Sequence, residues 1–372
     1  MTTTANDAFL VGRKDFHATR WSELPAPATV ELARGQAVLS VDAFAFTANN
    51  VTYAVFGEMM NYWSFFPAPE GWGTVPVWGF ATVARSNHPD LPAGERIYGY
   101  LPMSTYFVAT VDRVTPAGFS EVSPHRLDLP AIYNQYSRTR GDAAYDARHE
   151  AEQMLFRPLF LTGFLIDDFL ASENFFGARS VVLSSASSKT SIGLAFCLSR
   201  RGRDACEVVG LTSRANKEFV ESLGCYHRVV AYDEISSLPS DVPTVFVDMA
   251  GDGRVTTSVH EHFRDALRYS CSVGGTHWDH LAFGMSFPGP APVLFFAPDH
   301  AARRLADWGP AGLQERTGAA WSSFVGRVSS WIQPEHRSGK SAIESVYLDT
   351  LDGRADPKLG YILSFSGDAK GA

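Results

Sequence analysis

Residues 179–214 read RSVVLSSASSKTSIGLAFCLSRRGRDACEVVGLTSR. An apolar strand from Ser180 to Leu183 runs into a small-residue turn from Ser184 to Ser191. A helix is expected from Ile192 to Arg201, then a second strand from Cys206 to Leu211, ending in Thr212, Ser213 and Arg214. A strand, turn, helix and strand in this order aim the N–H groups of a helix N-terminus at one point, where they can hold a pyrophosphate. The turn has no glycine. Ser185, Ser187, Ser188, Lys189 and Thr190 stand there instead. A serine Cβ limits close backbone approach and positive φ, but its hydroxyl can donate to a phosphate, and Lys189 adds charge. The alternative is a serine-rich helix cap that holds no ligand. A P-loop is excluded, because no glycine opens the segment before Lys189.

The second strand ends where NAD sites commonly carry an acid for the ribose hydroxyls. Thr212, Ser213 and Arg214, with Lys217 one turn further, suit a 2′-phosphate better, which favours NADP over NAD. A solvated strand end with a helix cap is the alternative. A second cluster lies upstream. Asn49, Asn50 and Tyr53 precede Gly57. A phenol at Tyr53 can protonate a developing enolate or alkoxide, and an amide at Asn49 can polarise a carbonyl. The same residues can equally cap a short helix. Tyr62, Trp63, Phe65, Phe66, Trp72 and Trp78 follow, as lining of an apolar pocket or as core. Tyr133, Asn134, Tyr136, Arg138 and Arg140 form a polar cluster that can grip an anionic or carbonyl substrate, or lie in a solvated loop.

Other chemistries fit less well. His277, Trp278, Asp279 and His280 offer two histidines but no obvious further ligands, so no metal is expected. No G-x-S-x-G elbow marks a hydrolase. The net charge of −8 argues against a general nucleic-acid binder. No apolar run reaches a membrane span, and the N-terminus lacks a signal-peptide core. Four scattered cysteines, Cys197, Cys206, Cys225 and Cys271, fit a reducing cytoplasm.

The elements that position these residues fall into two kinds. Residues 1–125 hold short alternating runs broken by Pro and Gly, such as QAVLSVDAFAFT and ERIYGYLP, which suggest a barrel or sandwich. The polar stretch 133–150 has little periodicity and reads as an exposed excursion or lid. Helical spacing begins near residue 151, with Pro158 starting or kinking a helix. From 179 to about 290, VVLSS, EVVGLTS, YHRVVAYD, TVFVDMA and YSCSVGG alternate with helical segments, which implies a parallel sheet covered on both faces. A helix over 311–332 and a last strand, LGYILSFS, complete the chain.

This order resembles the medium-chain dehydrogenase/reductase superfamily. LPAGERIYGY is similar to its "G-D-R-V" turn and strand, LTSRANKEFVESLGCYHRVVAYDE to its second strand, helix, "LGA" and tyrosine, and DPKLGYILSF to its closing "G-K-I-V" strand. SSASSKTSIG and RPLFLTGFLIDDFL resemble the DUF2855 branch. The resemblance implies an α/β chain in which a Rossmann-type parallel-sheet domain is inserted in a GroES-like β-barrel catalytic domain. Its boundaries would be 1–155 for the first part of the barrel domain, 156–298 for the dinucleotide-binding domain and 299–372 for the return. No cysteine precedes Cys197 and no C-x₂-C-x₂-C run exists, so the relatives implied are the zinc-free quinone and enoyl reductases.

The resemblance also assigns residues. The family's loop glycines fall on Ser185, Ser188 and Ser191, and Tyr232 on a tyrosine near the adenosine phosphate. Thr162, at the start of a helix, would meet the nicotinamide, with Ala250, Gly251, Gly274 and Thr276 at later strand ends. Tyr53 would be the proton donor and Asn49 the polariser, and Trp63, Tyr133, Asn134 and Arg138 would meet substrate. The implied activity is NADPH-dependent hydride transfer to a carbonyl or activated alkene of a hydrophobic small molecule. The alternative is a non-redox member of the fold, a lyase or a binding or partner protein, with a modified phosphate loop. Relatives of this kind are often dimers, which makes a homodimer the assembly to test.

Overall fold

The computed structural model describes residues 5–275 and 286–365. It divides into two compact units, one of Met1–Leu155 with Gln333–Ala372, the other of Phe156–Ile332.

The first unit is built on a closed barrel. Its early strands are β1 (Asn6–Gly12), β2 (Thr19–Leu24), β3 (Gln36–Phe46), β4 (Trp72–Gly73), β5 (Val77–Ser86), β6 (Arg96–Leu101), β7 (Tyr106–Asp112), β8 (Gly118–Glu121) and β9 (Gln135–Arg138). The order β3-β5-β6-β9-β8-β7 closes because β7 also pairs with β3. β3 can serve so many partners because it is long and kinked. Its register against β5 shifts at Val38/Leu39 and at Val41/Ala43. Its first half pairs with β7 and its second half with the C-terminal strand β17 (Leu359–Ser364). The strand β16 (Gln333–Ser338) extends that edge in parallel with β17. Phe44, Phe80, Tyr100, Phe119 and Tyr136 are fully buried in this unit.

The barrel corrects one expectation. The stretch from residue 133, read as an exposed excursion, contributes β9, which closes the barrel between β6 and β8. Tyr136 of β9 stacks on Phe119 with ring planes 4° apart, and Arg138 is buried against Glu95 at 2.6 Å. The strand escaped detection because its inward positions carry a phenol and a paired charge instead of aliphatic groups.

The second unit carries a parallel sheet of β10 (Ser180–Leu183), β11 (Glu207–Thr212), β12 (Arg228–Ala231), β13 (Thr244–Asp248), β14 (Leu267–Ser272) and β15 (Val293–Leu294). Their order is β12-β11-β10-β13-β14-β15. The chain therefore winds outward in both directions from β10 and β13, the arrangement of a doubly wound nucleotide-binding sheet. All four residues of β10 are buried, as a strand covered on both faces requires. Val182, Val209, Leu211, Phe246 and Phe263 form a core on the sheet.

Two helices from either side of β10 meet closely. Helix α1 (Ala48–Val55) belongs to the barrel unit, whereas α2 (Glu150–Ser172) contains the division at residue 155/156. The helix α3 (Lys189–Ser199) crosses α2 where a Cβ on Gly163 would stand 2.6 Å from the Leu194 amide nitrogen. Pro158 lies inside α2 and does not start it. The remaining helices are α4 (Lys217–Ser222), α5 (Gly253–Phe263), α6 (Ala297–Val328) and α7 (Lys340–Leu351).

The return to the first unit differs from the expected residue 299. Helix α6 stays with the second unit, and the crossing comes at Ile332/Gln333. An aromatic seam holds it there: Phe324 stacks on Phe160 at 4.6 Å and meets Phe196 at 5.2 Å, while Trp321 meets Phe160 at 5.6 Å. Among the described residues no helix is long and apolar enough to cross a membrane.

Candidate functional site

The turn between β10 and α3 keeps a glycine-type backbone without glycine. Ser185 has φ of +48°, in the left-handed region. Its amide donates to the Tyr232 hydroxyl at 3.0 Å. The Ala186 amide donates to Leu211 O at 2.9 Å, so the turn is pinned to β11 as well. Ser188, extended at φ −73° and ψ 147°, caps α3 by accepting from the Ser191 amide. The amides of a capped first turn point out of the helix end and carry the positive end of its dipole.

The hydroxyls do less than the sequence suggested. Ser191 is buried and donates to Ser184 O at 2.8 Å. Ser187 accepts from the Asn216 side chain at 3.3 Å. Ser184 donates to Asp248 at 2.7 Å and accepts from the Met249 amide at 2.8 Å. These serines build the turn, and only Ser185, Ser187, Ser188, Lys189 and Thr190 keep partial exposure.

Asp248, at the end of β13, is the buried hub that sequence reasoning missed. Its Oδ1 accepts from Ser184 and from the Ala250 and Gly251 amides at 3.1 and 3.0 Å, and its Oδ2 from Thr256 at 2.9 Å. The carboxylate thereby locks the loops after β10 and β13, which flank the point where the sheet order reverses. The only sequence signal was an aspartate closing the apolar run TVFVD.

At the end of β11, Thr212 is buried and Ser213 half-buried. Arg214 and Lys217 lie beyond, each engaged by acids. Arg214 meets Asp233 at 2.7 Å and Glu234 at 3.2 Å, and Lys217 meets Glu234 at 3.3 Å. Lys217 holds the Glu234 carboxyl below its usual range, first by hydrogen bonding and then by charge. Burial pushes the Tyr232 phenol up to about 12. It therefore stays protonated and keeps a proton to donate while accepting from Ser185.

A second cluster lies in the barrel unit. Helix α1 begins with the Thr47 amide donating to the Asn50 side chain at 2.8 Å, and the Asn50 Nδ2 donates to Pro76 O at 2.8 Å. Asn50 is thus a cap. Tyr53, on the same helix, accepts from the Trp78 indole at 3.2 Å and is also hydrogen-bonded by Asn49. Its ring lies 4.7 Å from that of Tyr62, whose hydroxyl pairs with that of Tyr133 at 3.2 Å. Tyr100 stacks in the same group, 4.7 Å from Tyr133. Burial raises the pKa of all four phenols, so each is neutral and can act only as a protonated donor or an acceptor. The Tyr100 hydroxyl is buried without a hydrogen-bond partner.

The family described as "Protein of unknown function (DUF2855)" matches residues 44–356. The chain belongs to the DUF2855 family. No curated protein matches it. Three solved structures illustrate the fold that this DUF2855 member shares. CurA from Vibrio vulnificus in complex with NADPH is 11% identical with a TM-score of 0.61, covering 97% of this chain and 100% of that one. The yhdH oxidoreductase from Salmonella enterica in complex with NADP is 15% identical with a TM-score of 0.51, over 97% and 100%. A mutant form of enoyl thioester reductase from Candida tropicalis is 11% identical with a TM-score of 0.56, again over 97% and 100%. Likenesses at this level of identity carry the fold alone: a Rossmann-type domain inserted in a GroES-like barrel.

Several other residues assigned by resemblance have structural work in the DUF2855 chain. Trp63 is buried over Gly57 and Gly73, where added Cβ atoms would stand 2.1 and 2.4 Å from its ring. Asn134 is buried and donates to Arg126 O at 3.0 Å. Arg138 neutralises Glu95 and donates to Thr115 O at 2.8 Å. All three are buried and held by partners of their own unit, and so is Tyr133. Thr162 sits within α2, not at its start, and donates to Pro158 O at 3.2 Å. Ala250 and Gly251 spend their amides on Asp248, and Gly274 backs onto the Met249 carbonyl. Thr276 and His277 to His280 lie outside the described residues.

Proposed function

We propose that this DUF2855 member is a zinc-independent, NADPH-dependent oxidoreductase that transfers hydride to a carbonyl or activated alkene of a hydrophobic small molecule. The observation that carries the reading is the β10–α3 turn. It adopts the left-handed residue and capped helix start of a dinucleotide loop although serine replaces glycine, and it stands where the sheet order reverses. Related folds crystallised with NADPH and NADP lend support.

The residues fit the cofactor. The first-turn amides of α3, with Ser188 and Lys189, suit the pyrophosphate. Thr212, Ser213, Arg214, Lys217 and the Tyr232 phenol suit the adenosine phosphate, with Thr162, Ala250, Gly251, Gly274 and Thr276 assigned toward the nicotinamide. NADPH supplies the hydride when bound. Tyr53, held neutral by burial and hydrogen-bonded by the Trp78 indole, supplies the proton. Asn49, beside that phenol, orients it or polarises the carbonyl. Tyr133 pairs with Tyr62 and gives the apolar surroundings a polar end.

The engaged serines and the acids on Arg214 favour a second reading, a non-redox protein that retains the loop for another phosphate ligand. Titration with NADPH, followed by nicotinamide fluorescence, separates the two. Saturable binding, with oxidation of NADPH by quinones or enoyl thioesters, is the expected outcome. No binding at millimolar NADPH removes the first reading.

A further inference from the structure

The cations assigned to the adenosine phosphate are already occupied. Arg214 presents its Nε and Nη2 edge to Asp233 at 2.8 and 2.7 Å. That is the edge a guanidinium uses to grip a phosphate with two parallel bonds. Its Nη1 meets Glu234, which also takes Lys217. Two cations and two carboxylates sum to no net charge. Both acids follow Tyr232 directly in the turn after β12, and Tyr232 holds the Ser185 amide. One tripeptide thus touches both the phosphate turn and the cation fork.

We infer that Asp233 and Glu234 set the cofactor preference of this chain, acting as counter-charges that a 2′-phosphate must displace from Arg214 and Lys217. The inference rests on the nucleotide reading above. A phosphate monoester brings roughly 1.5 to 2 negative charges at neutral pH. Beside two carboxylates it is repelled until they swing away. The ribose hydroxyls of NADH are neutral and can donate to the same carboxylates, so NADH meets no such opposition. The displacement is not prohibitive. Side-chain exposures of 67% for Arg214 and 60% for Asp233 make this a solvated pair, and such pairs are weak. The chain therefore discriminates less between the two nucleotides than its Arg and Lys alone would dictate.

The test measures dissociation constants for NADPH and NADH with the full chain and with Asp233→Asn, Glu234→Gln and the double variant, at low and physiological salt. The double variant is expected to bind NADPH about three- to tenfold more tightly, with NADH unchanged or weaker and the gain larger at low salt. The single variants, each a surface change, should each give part of the gain. If wild type binds NADPH and the ratio of the two constants is the same in all four proteins, the inference is overturned while the nucleotide reading stands. If no protein binds either nucleotide, both are overturned. A change confined to melting temperature would reduce the acids to caps of their own turn and likewise overturn it.

Discussion

At Ser185 the chain accepts a backbone conformation that costs an L-residue about 1–2 kcal/mol, in a turn fixed by the Tyr232 hydroxyl on one side and the Ser188 cap on the other. Ser185→Gly removes the Cβ penalty and adds unfolded-chain entropy. The net expectation is a gain of about 0.5–1 kcal/mol, read as a higher denaturant midpoint. An unchanged or lower midpoint would mean that the serine hydroxyl contributes more than the strain takes away. The second residue-scale prediction concerns Tyr53. Tyr53→Phe keeps the ring packed against Tyr62 and Tyr100 but loses the phenol. A proton donor's loss should lower kcat about 10²–10³-fold with NADPH binding intact. Loss of stability with kcat preserved would leave Tyr53 as core alone. Residue types at both places were legible: serines stood where glycines are expected, and a tyrosine stood on a short helix. Their partners were not, because Asp248 lies far along the chain from Ser184 and no local pattern links them.

The elements show where periodicity serves and where it fails. β10, β11 and β13 were legible because strands buried on both faces read as apolar runs. β9 was not, because the barrel interior beside it holds ion pairs. Arg126 and Glu121 meet at 3.1 Å with almost no exposure, and Arg126 also lies over the Phe66 ring at 4.4 Å. Such a pair is weak evidence for stability while intact, but removing one member strands the other charge. Arg126→Ala should therefore destabilise by about 3–5 kcal/mol, and Glu121→Gln by less, since an amide still accepts from Thr110 and Ser123. Denaturant unfolding of the two variants checks the ranking. Replacing both members by apolar residues of similar volume should recover most of the loss. If the double replacement is as damaged as Arg126→Ala, the pair contributes specificity that apolar packing does not supply.

On the scale of the whole molecule, the order of barrel, parallel sheet and returning strand was legible because each segment kept its own period. The boundary at residue 332 was not, because α6 buries only a few residues near its two ends, among them Trp321, Phe324 and Val328, and such a sparse pattern does not name the unit that covers it. Acid acts on the second unit through partly or fully buried histidines. His227, His260 and His300 all lie in the second unit, and burial lowers the pKa of each below its ordinary value near 6.5. His260 is the most committed: its ring nitrogens face Pro288 O at 2.8 Å and the Ser270 hydroxyl at 2.9 Å. With the Nδ1 proton donated to the carbonyl, Nε2 accepts from Ser270, and a second proton would place a charge in a buried site and force the Ser270 hydroxyl to turn and accept instead. The unfolded chain has no such restriction and takes up the proton near pH 6.5. Between the folded and unfolded values the unfolded state binds more protons, so the stabilisation is present above about pH 6.5 and is lost as pH falls. The denaturant midpoint should therefore hold steady above pH 7 and decline towards pH 5. His260→Gln should cost about 1–3 kcal/mol at pH 7.5, because a buried partner loses its bond, and the gap to wild type should narrow as the pH falls. Parallel curves across that range would show that His260 does not titrate on unfolding and would place the acid sensitivity elsewhere in the chain.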